Sequence, residues 1–545
     1  MAYDTLDWLL SLVPMLAVLA LMVGFNWNTS RAGGVGWLLA IGLAVWRFGT
    51  GPDGAGYAQL KALILTVDVV IVIWAALLLY YVVDRAGALA VISDALAGLT
   101  ADSLIQVLLL GWVFASFLQG VGGFGVPVAI VAPLLIGLGV PEVRAVVIPA
   151  LGHGWAVTFG SLAASFIMLV NATGLPGEKL APAAAVMLGI LCYMTGLMCA
   201  HALDGWRGVR RSVPYVFVVS TAMSAGQFLA ATNGLWTIGA ISGGLFGLVA
   251  SVGWIRFSGP RKLRAAGDRS GNPSLLGEEP ALSQSPLASL VAEGSPAGEV
   301  KSRPSIRLAF SSYVILIVLA LTLRGIVPVK EFLGQWAVAI DIPATTTDRD
   351  WTVARAEDAG FGIPAHPGIV ILYSCTIAYL LYRRAGLYAP GAAQDILQQS
   401  GRRAFKAGIG VFMMVGVAAT MERAGMIEVL ADGMSKAVPG DLYAFIAPAI
   451  GALGAFVTGS NVNSNAVFSM LQLNTARLLG LSIYAILGAQ TAAAAVISVM
   501  SPAKVTVGCS TVGANEGVVM RLLLGYGAVV ILTVGLMAWI GVSLL

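Results

Sequence analysis

Apolar positions run along the chain in blocks of about 18 to 25 residues, the helix length that crosses a hydrocarbon core of ~30 Å. Short stretches of Gly, Pro, Asn and charged residues separate the blocks. They predict spanning helices near 8–26, 34–49, 62–83, 143–170, 182–203, 213–231, 234–256, 307–324, 366–384, 404–422, 482–500 and 519–544. The alternating pattern of a membrane barrel is absent. Two segments, 104–139 and 442–480, are built differently: an apolar arm, a glycine-rich or polar tip, then a second apolar arm. Each arm is short for a full crossing, so each segment reads as a re-entrant hairpin.

The stretch 259–305 is rich in Ser, Pro, Gly and Glu without hydrophobic periodicity and reads as a flexible linker. It divides an N-terminal half, 1–258, from a C-terminal half, 306–545. Lys and Arg gather in three connections: Arg207 to Arg211, Arg261 to Arg303, and Arg383 to Lys406. Two predicted spans separate each connection from the next, so all three, the linker included, can face the cytoplasm. The acidic segment 341–358 then lies outside. On this count the first hairpin enters from the cytoplasmic side and the second from the opposite side, an inverted-topology repeat whose tips converge near the midplane. A short likeness accompanies it: Ala115-Ser-Phe-Leu-Gln-Gly120 against Gly454-Ala-Phe-Val-Thr-Gly459.

Composition agrees with an all-α polytopic membrane protein. Of 545 residues, 58% are hydrophobic and 11% charged, where a soluble domain carries roughly 25% charged residues. Mean hydropathy is +0.87. The net charge of +4 sits mostly in loops and gives no support for nucleic-acid binding. Cys192, Cys199, Cys375 and Cys509 lie in or beside apolar runs without CxxC spacing, as buried thiols do. The first residues lack a basic n-region and a cleavage motif, so 8–26 reads as a retained helix. No nucleotide-binding loop, metal-ligand cluster or catalytic triad is present, which argues against an ATP-driven pump and against an enzyme, and no cofactor is expected.

The first tip, Gln119-Gly-Val-Gly-Gly-Phe-Gly125, places Gly120, Gly122, Gly123 and Gly125 around Gln119 and Phe124. Glycines there let a ligand approach the main chain, and Pro127 suits the start of a second arm whose free amides favour an anion. Close helix packing is the other use of such glycines. The second tip, Thr458-Gly-Ser-Asn-Val-Asn-Ser-Asn465, carries Thr458, Ser460, Asn461, Asn463, Ser464 and Asn465 around Gly459. Polar side chains at that depth are costly without partners. They can donate to a carboxylate, and the oxygens of Ser460, Asn461 and Asn463 can hold Na⁺.

Each tip is followed by a span with a polar break. In the first half it is Gly152-His-Gly-Trp-Ala-Val-Thr-Phe-Gly-Ser161, with His153, Trp155, Thr158 and Ser161 as candidates; in the second it runs from Gln490 and Thr491 through Ser501 to Lys504. His153 is a candidate proton carrier or a hydrogen-bonded packing residue, and Trp155 a cavity wall. Lys504 either offsets a substrate's charge or snorkels to the interface. Asp68 and Glu422-Arg423 are charges within spans whose role stays open between function and internal pairing.

At these motifs the chain resembles the bacterial L-lactate permease family, which also handles glycolate. The resemblance covers most of the length and rests on Phe117-Leu-Gln-Gly-Val-Gly-Gly-Phe-Gly-Val-Pro-Val-Ala-Ile130, Leu203-Asp-Gly-Trp-Arg-Gly208, Thr458 to Ala466 and Ser501-Pro502. It implies secondary transport of small 2-hydroxy-monocarboxylates across the bacterial plasma membrane with a coupling proton, and an elevator-type, ion-transporter-like fold that commonly dimerises. Family members usually show Leu-Glu-Gly, Gly-Ser-Asp and a Lys three residues before Ser-Pro; here Gln119, Asn461 and Ser498 stand at those places. Three ionisable groups have become neutral together. Proton passage through His153, or Na⁺ held by the second tip, is the replacement this suggests, with Lys504 taking over from the missing cation. The expectation is a lactate or glycolate symporter; a Na⁺-coupled or differently specific organic-acid carrier, and a non-transporting receptor or structural protein on the same fold, are the alternatives.

Overall fold

Each half contains one long apolar helix that ends in the same way. Pro52–Arg85 closes on Gly87 at φ +70°, and Ala392–Arg423 closes on Gly425 at φ +76°. Both glycines take the left-handed geometry that terminates a helix and turns the chain, and each leads into a short helix, Ala88–Ala97 or Met426–Ala437. The computed structural model describes residues 4–258, except 26 and 124, and 303–544, except 339, 356–360 and 365. The linker expected at 259–305 therefore lies, up to residue 302, outside the described residues.

The succession then repeats. In the first half a helix over Ser103–Val121, with one π-helical turn at Leu109–Phe114, meets Val126–Gly137 at a break; Glu142–Gly154 and Ala164–Thr173 follow, separated by non-helical chain. In the second half Gly440–Thr458 meets Asn461–Leu478, and Ile483–Ser498 meets Pro502–Val512 across a break at 499–501. The packing is reciprocal. Val126–Gly137 lies against Pro502–Val512, and Asn461–Leu478 lies against Ala164–Thr173, so each hairpin embraces the broken helix of the other half. Where the two broken helices cross, Gly154 packs on the backbone and side chain of Val496, an approach only a small residue permits.

Ten helical segments among the described residues are long and apolar enough to cross a membrane: eight lie at expected spans, and two, Ser103–Val121 and Gly440–Thr458, are hairpin arms expected to be short for a crossing. Thr29–Trp46 and Pro367–Arg384 form helices at expected spans but fall outside that set. The spans expected at 182–203 and 213–231 belong to one helical segment, Gly177–Thr232, bent where Asp204 and Gly205 leave helical geometry. The span expected at 143–170, with its polar break at Gly152 to Ser161, is two helices, Glu142–Gly154 and Ala164–Thr173, with an irregular turn between them.

Burial separates inner from outer elements. An 18-residue stretch of the first arm, Ser103–Val121, and one of the second broken helix, Ile483–Val512, are each 89% buried, against 22% in Thr5–Phe25 and 33% in Glu516–Val542. The first arm of the first hairpin and the Ile483–Ser498 limb therefore lie in the interior, whereas the like stretch of Gly440–Thr458 is 44% buried. Thr29–Trp46 and Pro367–Arg384 pack against the long helices instead, and Thr5–Phe25 packs on Thr29–Trp46 and Met426–Ala437. The chain between Trp336 and His366 carries two short antiparallel ladders and is pinned over helix ends. Asp348 N–H donates to the Gly49 carbonyl at 2.9 Å, Arg423 donates to Thr345 Oγ1 at 2.7 Å, and buried Asp7 accepts from Arg47 and Arg349.

Candidate functional site

The second tip is a two-residue break. Gly459 closes Gly440–Thr458 in left-handed geometry (φ +67°), and Ser460, extended, caps the next helix by accepting Asn463 N–H on its hydroxyl at 3.3 Å. Asn461 and Asn465, four residues apart, share one helix face. Asn461 Nδ2 donates to Thr158 Oγ1 at 3.1 Å and lies 3.3 Å from both oxygens of Thr491. Asn465 Nδ2 donates to the Ser165 carbonyl at 2.9 Å and to Thr491 Oγ1 at 3.0 Å, while its Oδ1 accepts from Gln490 Nε2 at 3.3 Å. Thr158 Oγ1 donates to the Thr491 carbonyl at 3.1 Å. One polar knot thus joins the second tip, the second broken helix and the break of the first.

The remaining tip residues point elsewhere. Ser464 Oγ donates to the Gly451 carbonyl at 2.6 Å and Thr458 Oγ1 to the Gly454 carbonyl at 2.7 Å; both fasten the hairpin arms to themselves. Asn463 borders a cavity of about 10 Å³ lined by Met15, Val18, Thr458 and Phe468, room for one water. That cavity is separate from the knot.

The first tip bears on the same break from its other side. Gly125 is left-handed (φ +87°) and opens the second arm. A Cβ on Gly123 would overlap Ser161 Oγ, one on Gly160 would lie 2.8 Å from Gln119 Nε2, and one on Gly120 would lie 2.7 Å from the Ile241 nitrogen. Gly122 packs on Tyr80. Gln119 and Gly123 therefore touch residues 160 and 161, and Asn461 touches Thr158. The second half mirrors the contact: a Cβ on Gly459 would sit 3.1 Å from Ser501 Oγ, at the other helix break. Phe124 lies outside the described residues.

The turn between the tips is strained. Ser161, Leu162 and Ala163 have φ of +47°, +57° and +65°, left-handed geometry that costs non-glycine residues about 1–2 kcal/mol each. Ala163 N–H to Gly160 at 3.0 Å and Phe166 N–H to the Thr158 carbonyl at 3.2 Å hold it. Such strain persists where surrounding contacts over-determine it, commonly at binding sites.

Buried oxygens of the second tip and second broken helix are left unpaired. Among the described residues Asn461 Oδ1, Gln490 Oε1 and Ser501 Oγ have no hydrogen-bond partner, and leaving such an atom dry costs about 1–3 kcal/mol. Lys504 reaches back across the 499–501 break to place Nζ 3.4 Å from Ser498 Oγ. Ser498 is the position at which the family resemblance leads one to expect a lysine.

Two candidates separate from the knot. Trp155 is fully buried, donates Nε1–H to Ser116 Oγ at 2.9 Å and packs over Gly243, inside the N-terminal half. It is a packing residue and no cavity wall. His153 bonds through Nδ1 to the Pro149 carbonyl of its own helix, and its buried Nε2 is unpaired among the described residues. The in-span charges also find partners. Glu422 pairs with Lys61 at 2.8 Å rather than with Arg423, and Asp68 pairs with His366 at 2.7 Å and accepts from Asn171. Asn171 carried no signal in sequence beyond a polar residue near a span end.

A profile of the L-lactate permease family matches residues 7–545. The glycolate permease GlcA of Escherichia coli strain K12 is 25% identical over 542 residues, covering 93% of this chain and 90% of that protein. The L-lactate permease of the same organism is 25% identical over 459 residues, covering 81% and 78%. In fold the chain is similar to the YdaH transporter of Alcanivorax borkumensis, whose structure was described as having an unusual topology: TM-score 0.51, 16% identity, 95% of this chain and 99% of the other. Bacterial permease relatives and ten apolar helices make this a multi-pass protein of the bacterial plasma membrane. With nearly its whole length matched, the chain belongs to the L-lactate permease family.

Proposed function

We propose that the protein is a secondary active transporter that carries a small 2-hydroxy-monocarboxylate, such as L-lactate or glycolate, together with a proton. The observation that carries this reading is the polar knot of Asn461, Thr158 and Thr491, with unpaired acceptors on Asn461 and Gln490 and the Lys504 ammonium further along the same broken helix, at Ser498. A 2-hydroxy acid offers the complement: a carboxylate for Lys504 and the free amides that open the Asn461 helix, and a hydroxyl hydrogen for Asn461 Oδ1 or Gln490 Oε1. A plain carboxylate satisfies only the first.

Transport then follows from the division of the fold. The hairpins and broken helices move as one body against the two long helices and the helices packed on them, exposing the knot to each side in turn. The family resemblance extends this to an elevator motion in a homodimer, which a mass measurement in detergent checks.

The unpaired oxygens also favour a second reading, in which Na⁺ sits on Asn461 and Gln490 and drives uptake. Labelled L-lactate uptake into proteoliposomes decides between them. Accumulation under an inward proton gradient without Na⁺ supports proton symport; accumulation only under a Na⁺ gradient supports the second; none under either contradicts both.

A further inference from the structure

We propose that Asp68 is the site that takes up and releases the coupling proton, and that Asn171 carries its state to the substrate site; this rests on the proton-coupled reading above. Asp68 lies near the middle of Pro52–Arg85, about 24 Å along the helix axis from its start, and is 14% exposed. An ionisable group there is expensive and marks a pathway by default. Its Oδ1 meets His366 Nε2 at 2.7 Å, and its Oδ2 accepts from Asn171 Nδ2.

The tautomer of His366 follows from its other nitrogen. Gly368 N–H donates to Nδ1 at 3.1 Å, so Nδ1 is an acceptor and Nε2 carries the hydrogen given to Asp68. The imidazole is neutral, and the carboxylate is held by two uncharged donors. Nearby charges are committed elsewhere. Lys61, two turns earlier on the same helix, spans both oxygens of Glu422 at 2.8 Å. Arg423 bonds the Pro343 carbonyl and Thr345. Ala164–Thr173 has no ionisable side chain, Pro367–Arg384 has only the neutral Tyr373, Cys375, Tyr379 and Tyr382 before Arg383, and Asn461–Leu478 has only Arg477. Among the described residues, then, no lysine or arginine pairs with Asp68.

Asn171 makes the site consequential. It stands on Ala164–Thr173, the limb whose Ser165 carbonyl accepts from Asn465 of the second tip. One short helix therefore connects Asp68 on the long outer helix with the polar knot. A proton arriving from water on one face resides on a carboxyl oxygen of Asp68 and returns to water on the other. While it is bound, the Asn171 bond loses its charge assistance and about half its strength, which loosens the limb. His153, by contrast, is bonded within its own helix, through Nδ1 to the Pro149 carbonyl.

The test uses full-length protein in proteoliposomes, with wild type, Asp68→Asn and Asp68→Glu compared for lactate accumulation under an inward proton gradient and for lactate-lactate exchange. Wild type should accumulate toward about tenfold per pH unit. Asp68→Asn should fall to an inside-to-outside ratio of about one, as expected when no proton is coupled, while exchange continues; Asp68→Glu should recover accumulation. Normal accumulation by Asp68→Asn overturns the proposal while leaving symport standing. Loss of both activities in Asp68→Asn, with none regained in Asp68→Glu, assigns Asp68 to folding and also overturns it. No gradient response in wild type removes the proton-coupled reading itself.

Discussion

Thr158 and Thr491, 333 residues apart, are joined by a 3.1 Å hydrogen bond from the hydroxyl of the first to the carbonyl of the second. The bond ties the two broken helices together beside the second tip. Asn461 donates to Thr158 Oγ1 and lies over Thr491 from the hairpin above, so the three residues behave as one unit.

Asn461→Ala removes the amide that holds the second tip onto both broken helices. Lactate uptake should drop by about 100-fold, the usual scale when a binding geometry slips by an ångström, while the amount of protein in the membrane stays the same. Uptake and quantitative blotting of the same vesicles check this.

Gly123→Ala should abolish uptake because the new methyl group meets Ser161 Oγ. Adding Ser161→Gly removes that oxygen and relaxes a left-handed position (φ +47°), so the double variant should regain a large part of the activity. A double-mutant comparison of uptake rates measures the recovery.

Lys504→Ala should raise the KM for lactate by about 10- to 100-fold, the worth of one charge-assisted hydrogen bond. Since Nζ lies 3.4 Å from Ser498 Oγ, exchanging the two residues as Lys504→Ser with Ser498→Lys should restore much of the affinity. Initial-rate kinetics of wild type and the two variants test the point.

Propionate lacks the hydroxyl that Asn461 Oδ1 and Gln490 Oε1 are placed to accept. Lactate should be favoured over it by about 5- to 100-fold, the scale of one buried unpaired acceptor. Gln490→Ala should narrow that ratio in competition uptake.

Much of this architecture is legible in sequence, for identifiable reasons. The hairpins are expected at 104–139 and 442–480 and their helices run over 103–137 and 440–478, because Gly122 to Gly125 and Gly459-Ser460 interrupt helical runs that are otherwise continuous. Asn461 and Asn465 stand out because amides in an apolar arm need partners. The left-handed turn at Ser161 to Ala163 is not legible, since none of its residues is a glycine and its geometry is imposed by Gln119 and Gly123 from another element. Trp155 carries a polar handle that suits a cavity or a packed interior equally, and only Ser116 decides between them. Asp68, Asn171 and His366 come from three distant segments, so no spacing announces them.

The most direct test of the central claim, that the two tips and the break between them hold one small organic acid, is a cryo-electron microscopy map of the protein in lipid nanodiscs with L-lactate. The account predicts ligand density in contact with Asn461 and Gln490 and within reach of Lys504. Density confined to another part of the molecule, with the knot of Asn461, Thr158 and Thr491 left untouched, would contradict it.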